Sequence, residues 1–171
     1  MSSNLKLLLG SSVVTITQSQ FLRNKAEQDC AALAAANSSL VLTASVFFEN
    51  VSAGDGAALC LEGIADGSSV TYNTIVSNRS EKILSPNIIY VRSGRSPTFS
   101  QNNISNNSGY DLFNESPELI RASHNWWGTI HEAEIRRRIY DRAQDNTKGG
   151  ILISPILQGA VTLPSVPPSP Q

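Results

Sequence analysis

Bulky apolar residues recur along this chain at intervals too long for a helix and too regular to ignore. Four segments, Val14–Asn24, Leu40–Asn50, Ser68–Asn78 and Pro97–Asn107, end on asparagines spaced 26, 28 and 29 residues apart. Eight residues before each asparagine stand Ile16, Leu42, Val70 and Phe99. Three before stand Phe21, Phe47, Ile75 and Ile104. Small polar residues keep the same register. Ser19, Ser45, Asn73 and Asn102 lie five before, Thr17, Thr43, Thr71 and Ser100 lie seven before, and Asn24, Asn50, Asn78 and Asn107 close the column. A second apolar run follows each segment: 31–33, 57–61, 88–91 and 111–113. Gly, Asn, Asp and Ser between the runs mark tight turns.

Repeats of this length that cannot bury an apolar face alone do so by stacking on their neighbours. The apolar positions do not follow a 3.6-residue period, and Gly and Asn interrupt every candidate helix, so helical repeats are excluded. What remains is a coil of short strands, each paired with the same strand one turn above and below. Equivalent residues then stack about 4.8 Å apart. Apolar columns fill the bore. The Ser/Asn columns sit at inward bends, where side-chain amides and hydroxyls pass hydrogen bonds from coil to coil.

The run Val70 to Asn78 and the run Phe99 to Asn107 fit an I-x-x-N-x-I-x-x-N pattern. His124-Asn125-Trp126-Trp127-Gly128-Thr129 follows, then a helical stretch, then Gly149 to Leu157. The whole resembles the right-handed parallel β-helix proteins of the pectate-lyase-like superfamily, in which an Asn-aromatic-Trp-Gly segment closes the last coil. That resemblance implies an all-β solenoid of four to five coils over residues 1–157. It also implies an extracellular or cell-surface setting, although no signal peptide is visible at the start. Residues 158–171, with four of the eight prolines in 163–171, read as a Pro-rich tail or linker. The repeat begins almost at once, so either Met1–Gly10 is a minimal cap or the chain continues a longer β-helix. An open first coil is expected to recruit further coils or to self-associate.

Residues 129–143 read as one amphipathic helix, about 130–143 in its body. Thr129 with Glu132 forms a capping box, Ile135, Ile139 and Ala143 share a face, and Arg136, Arg137, Arg138 and Arg142 turn outward.

Composition narrows the function. The chain carries 14 Asn, 24 Ser and 9 Thr, a usage suited to turns and short strands. A net charge of −1 argues against nucleic acid as a partner, and no apolar run is long enough to span a membrane. His124 and His131 lack metal-ligand spacing, so neither a metal nor a cofactor is expected. Cys30 and Cys60 fall out of register with one another and read as free thiols.

No pair of acids lines up for catalysis, so no catalytic residue is assigned. The expected function is a non-catalytic structural or binding module with a carbohydrate, a polysaccharide above all, as ligand. Its candidate binding residues are Thr15, Thr17, Thr43 and Thr71 on an outward strand face, with Arg92 and Trp127. The alternative is a polysaccharide lyase or glycoside hydrolase built from Glu62, Arg92 and Asp111. A second alternative is an ice-binding Thr/Ser face. Six Asn-X-Ser triplets, at Asn37, Asn50, Asn78, Asn103, Asn106 and Asn114, read mainly as composition, since Asn50 and Asn78 belong to the inward column.

Overall fold

The computed structural model describes residues 5–8 and 12–163. These form a parallel β-solenoid of about five turns. Sheet 1 stacks Leu5–Leu8, Leu33–Ala36, Leu59–Glu62, Asn87–Val91, Tyr110–Asn114 and Ile139–Tyr140. Sheet 2 stacks Val13–Thr17, Ser39–Thr43, Ser69–Thr71, Thr98–Ser100, Ile120–Arg121 and Ile151–Leu152. Sheet 3 holds Gln20–Leu22, Val46–Phe48, Thr74–Val76 and Asn103–Ser105, and sheet 4 three strands of two residues each. The strand pairings among the described residues are parallel and in the register of the sequence columns: Ile16, Leu42, Val70 and Phe99 stack on one another, as do Phe21, Phe47, Ile75 and Ile104.

The core is the bore. Leu42, Val70 and Phe99 are fully buried from sheet 2, Phe47, Ile75 and Ile104 from sheet 3, and Leu33, Leu59, Ile89 and Leu112 from sheet 1. Alternation along the strands of sheet 2 sends their neighbours outward, whereas all five residues of Asn87–Val91 in sheet 1 are buried. Near the start the bore is less closed, with Val14 and Ile16 only partly buried.

The bends explain how so few glycines suffice. Gln18, Ala44, Tyr72, Gln101 and His124 form one column with φ between 48° and 57°. Arg23, Glu49, Ser77 and Asn106 form a second with φ between 53° and 59°. A left-handed L-residue costs about 1–2 kcal/mol. The very next residue of each coil offsets that cost through its side-chain hydrogen bonds. In the first ladder the amides of Ser19, Ser45, Asn73 and Asn102 donate to Ser45 Oγ, Asn73 Oδ1, Asn102 Oδ1 and Asn125 Oδ1 at 2.9–3.1 Å. In the second, Asn24, Asn50 and Asn78 donate to Asn50, Asn78 and Asn107 Oδ1 at 2.9–3.1 Å. The asparagine of the Trp-Trp-Gly segment is therefore the last rung of the first ladder.

Two expectations are corrected. The cysteines are joined: Cys30 and Cys60 form a disulfide with Cα atoms 5.6 Å apart. Their registers do differ, as Ala34 stacks on Cys60. However, the chain bends at Gly56 (φ +63°) and Cys30 (φ 63°), which brings position 60 diagonally beside position 30. Gly56, having no side chain, leaves the room that Cys60 Sγ occupies.

The predicted helix of residues 129–143 is only Glu132–Arg136. Thr129 caps nothing with Glu132; its Oγ1 accepts from the His131 amide at 3.2 Å and donates to Glu134 at 2.9 Å. Beyond Arg137 the chain becomes a strand, because Ile139 and Tyr140 stack on Leu112 and Phe113 as the sixth strand of sheet 1. Ala143 is exposed.

At the C-terminal side, Asn103 uses its side-chain amide as a peptide mimic. Its Oδ1 accepts from Val161 N and its Nδ2 donates to Val161 O, both at 2.8 Å. The first residues of the expected tail are thus tied to sheet 3, while 164–171 lie outside the described residues. Of the expected cap Met1–Gly10, the strand Leu5–Leu8 extends sheet 1 and the rest lies outside the described residues.

Candidate functional site

The outer face of sheet 1 carries the densest chemistry. Because Leu33, Leu59, Ile89, Leu112 and Ile139 point inward, the residues that follow them point out. Ala34, Cys60, Tyr90, Phe113 and Tyr140 stack in that order. The last three make an aromatic row along the solenoid axis. Phe113 and Tyr140 are parallel at 4.1 Å, Tyr90 meets Phe113 at 5.7 Å, and Tyr110 sets its ring edge-on to both Phe113 and Tyr140. Packed rings of this kind bury one another's faces and leave edges outward. Tyr90 and Phe113 are accordingly 8% exposed, whereas Tyr110 and Tyr140 are half-buried.

Beside this row runs a charged one. Arg92 Nη1 lies 3.4 Å from Glu62 Oε2, and Lys148 Nζ lies 3.6 Å from Glu115 Oε1. Tyr90 Oη donates to Glu115 Oε2. Burial first, and that bond second, raise the Tyr90 pKa above the usual phenol value. Tyr90, followed by Glu62, holds the Arg92 guanidinium still more firmly protonated. Where the two rows begin, Asp29, Glu62 and Arg92 rim a shallow cleft floored by the Cys30–Cys60 bridge, Leu61 and Tyr90. It holds about 30 Å³, space for one or two waters.

The sequence candidates distribute unevenly over this geometry. Arg92 belongs to the cleft. Glu62 reaches it, but Asp111 does not. Asp111 is buried beneath the turn after Asn107 and accepts from Arg138 Nε at 2.6 Å, Arg138 Nη2 at 3.0 Å and Asn107 Nδ2 at 2.9 Å. It terminates the second asparagine ladder, and Arg138 is spent on it rather than turned to solvent. Glu62, Arg92 and Asp111 therefore do not converge.

Trp127 is 3% exposed within the core, its Nε1 without a hydrogen-bond partner among the described residues. It offers no face to a ligand; Trp126 beside it is half-buried. Thr17, Thr43, Thr71 and Ser100 stack as one outward column of sheet 2. Thr15, Val41, Ser69, Thr98, Arg121 and Leu152 stack as the adjacent one. Ser19, Ser45, Asn73 and Asn102, with Asn24, Asn50, Asn78 and Asn107, are the ladder residues described above.

The aromatic row is hidden in the sequence as long as Tyr140 reads as helical rather than as the strand residue that stacks on Phe113. The signal for it is the alignment of Ile139-Tyr140 under Ile89-Tyr90 and Leu112-Phe113. Among the described residues no three His, Cys, Asp or Glu side chains gather as a metal site, and no helix is long and apolar enough to cross a membrane. No family model, curated protein or solved structure matches the chain.

Proposed function

We propose that this solenoid is a non-catalytic carbohydrate-binding module that lays a polysaccharide along the outer face of sheet 1. One observation carries the reading: an aromatic row and a row of paired charges run side by side, in coil register, along the same face. The half-buried rings of Tyr110 and Tyr140 supply apolar edges for sugar C–H groups, while charged and amide groups take the hydroxyls. A face that repeats about every 4.8 Å suits a polymer that also repeats.

The carboxylates of this face favour binding over turnover. Glycoside hydrolysis needs two carboxyl groups about 5–10 Å apart and free to act. Here Glu62 is paired with Arg92, Glu115 with Tyr90 and Lys148, and Asp111 is buried against Arg138. The asparagine ladders and the Asn125-Trp126-Trp127-Gly128 close are in keeping with the pectate-lyase-like superfamily. The disulfide is in keeping with an extracellular or cell-surface location, since such bonds persist where thiols are oxidised.

Native electrophoresis through gels cast with different polysaccharides tests this. Retardation in one of them, abolished in Arg92→Ala and Tyr140→Ala, is the expected result. A cleared zone in the polymer would replace binding by cleavage. Free migration in every gel would remove the carbohydrate and leave a scaffold.

A second reading has its own observation, the stacked hydroxyl column Thr17, Thr43, Thr71 and Ser100. A flat hydroxyl lattice could engage ice. Faceted crystals grown in dilute protein, lost in Thr43→Lys, would favour it over the sugar.

A further inference from the structure

The six Asn-X-Ser triplets are equal in sequence and unequal in structure. An N-linked glycan replaces a hydrogen on the asparagine Nδ2, so that nitrogen must be free and facing water. Asn50, Asn78 and Asn114 are buried, and each spends its nitrogen on backbone carbonyls: Asn50 on Phe21, Asn78 on Phe47 and Val76, Asn114 on Glu118 and Gly149. Asn103 gives its nitrogen to Val161 O. Asn37 and Asn106 differ on every count. Both are exposed. Both sit at coil corners with left-handed φ, 51° and 55°. Asn37 closes the corner after Leu33–Ala36, and Asn106 the corner after Asn103–Ser105. Neither nitrogen donates to any described residue. The Cys30–Cys60 bridge accords with this, since disulfides persist in oxidising compartments, among them the eukaryotic secretory lumen where N-glycosylation takes place.

We infer that Asn37 and Asn106 are N-glycosylation sites, a conclusion that rests on the extracellular part of the reading above but not on its ligand. The donor is an oligosaccharide on a lipid diphosphate. Asparagine Nδ2 forms the bond to C1 of the first sugar, the C1–O bond to the lipid diphosphate breaks, and the amide gives up one proton. Transfer precedes folding, so the fold acts as the filter. A chain modified on a ladder asparagine cannot close its coils, while one modified at the two corners can.

The test is secretion of the full chain from a glycosylating eukaryotic host behind an added signal sequence. The folded monomer with its disulfide intact is then isolated and treated with peptide N-glycosidase in ¹⁸O water, and the labelled aspartates are mapped by mass spectrometry. Label at positions 37 and 106 and none at 50, 78, 103 and 114 is the expected map. The double variant Asn37→Gln, Asn106→Gln should be secreted folded and lose the enzyme-sensitive mobility shift. An unlabelled position 37 or 106 removes that site, and label on a ladder asparagine of folded protein overturns the filter altogether. Polysaccharide retention is read separately on the same material, so loss of the ligand reading leaves the map untouched.

Discussion

A ladder asparagine such as Asn78 holds together three coils at once. Its Oδ1 accepts from Asn50 N and Nδ2, at 3.1 and 2.8 Å, while its Nδ2 donates to Phe47 O, Val76 O and Asn107 Oδ1 at 3.0–3.1 Å. Each buried group left without a partner costs about 1–3 kcal/mol. Replacing Asn78 by alanine strands several, so we expect Asn78→Ala to lose roughly 3–5 kcal/mol in urea unfolding. Loss of less than 1 kcal/mol would show that water fills the place. Asp111 is a different kind of ladder residue because it is charged. Burial outweighs its bonds to Arg138 and Asn107, and its pKa is raised. The folded chain therefore binds the proton more readily than the unfolded chain. Stability from this group grows as pH falls through the folded pKa toward the ordinary carboxylate range, and is constant below it. The stability difference between the native chain and Asp111→Asn should rise accordingly on acidification; a difference that falls would mean that the Arg138 pair dominates.

Individual strands are too short to stand alone, several having two or three residues. Their order comes from the strand above and below, and from covalent closure where it exists. The disulfide closes a separation of 30 residues between adjacent coils. Loop-closure entropy makes that worth about 3–4 kcal/mol. Reduction, or Cys60→Ser, is expected to lower stability by that amount with the coil's register kept, as followed by thermal unfolding and near-ultraviolet dichroism. The same scale shows where sequence reading succeeds and fails. Columns repeated once per coil, such as Leu42, Val70 and Phe99, are legible because stacking requires like residues at like positions. Contacts that cut across the register leave no column. Cys30 and Cys60 meet diagonally through two left-handed bends, and Asn103 captures Val161 from 58 residues away. Residues 129–143 mislead for another reason. Local helical pattern is strong there, but Ile139 and Tyr140 gain more by stacking on Leu112 and Phe113 than one more helical turn would supply. The candidate site is hidden for the same reason, since its aromatic row needs Tyr140 as a strand residue.

As a whole, the molecule is a one-dimensional stack in which each coil is supported by its neighbours. Support is unequal along the axis. Leu42, Val70 and Phe99 are sealed between coils, whereas Val14 and Ile16 at the start of the described stack remain partly open. Toward the far end Trp127 and Ile153 both lie in the core. Hydrogen exchange should therefore fall off in order from the 13–22 region inward, with the amides of 70–75 and 99–104 slowest. Uniform protection from the first coil to the last would instead indicate a single all-or-none unit.

The bend columns have one more consequence. Gln18, Ala44, Tyr72, Gln101 and His124 share a backbone shape and almost nothing else. The conformation is held by the residue after each of them, at steps of 26, 28, 29 and 23. Shape and chemistry are thus uncoupled along this edge. Five positions, one per turn, form a writable line whose lettering the fold does not read. A row of histidines, of lysines or of aromatic rings could be inscribed there at the pitch of the backbone, turning the scaffold into a ruler for arranging groups in space.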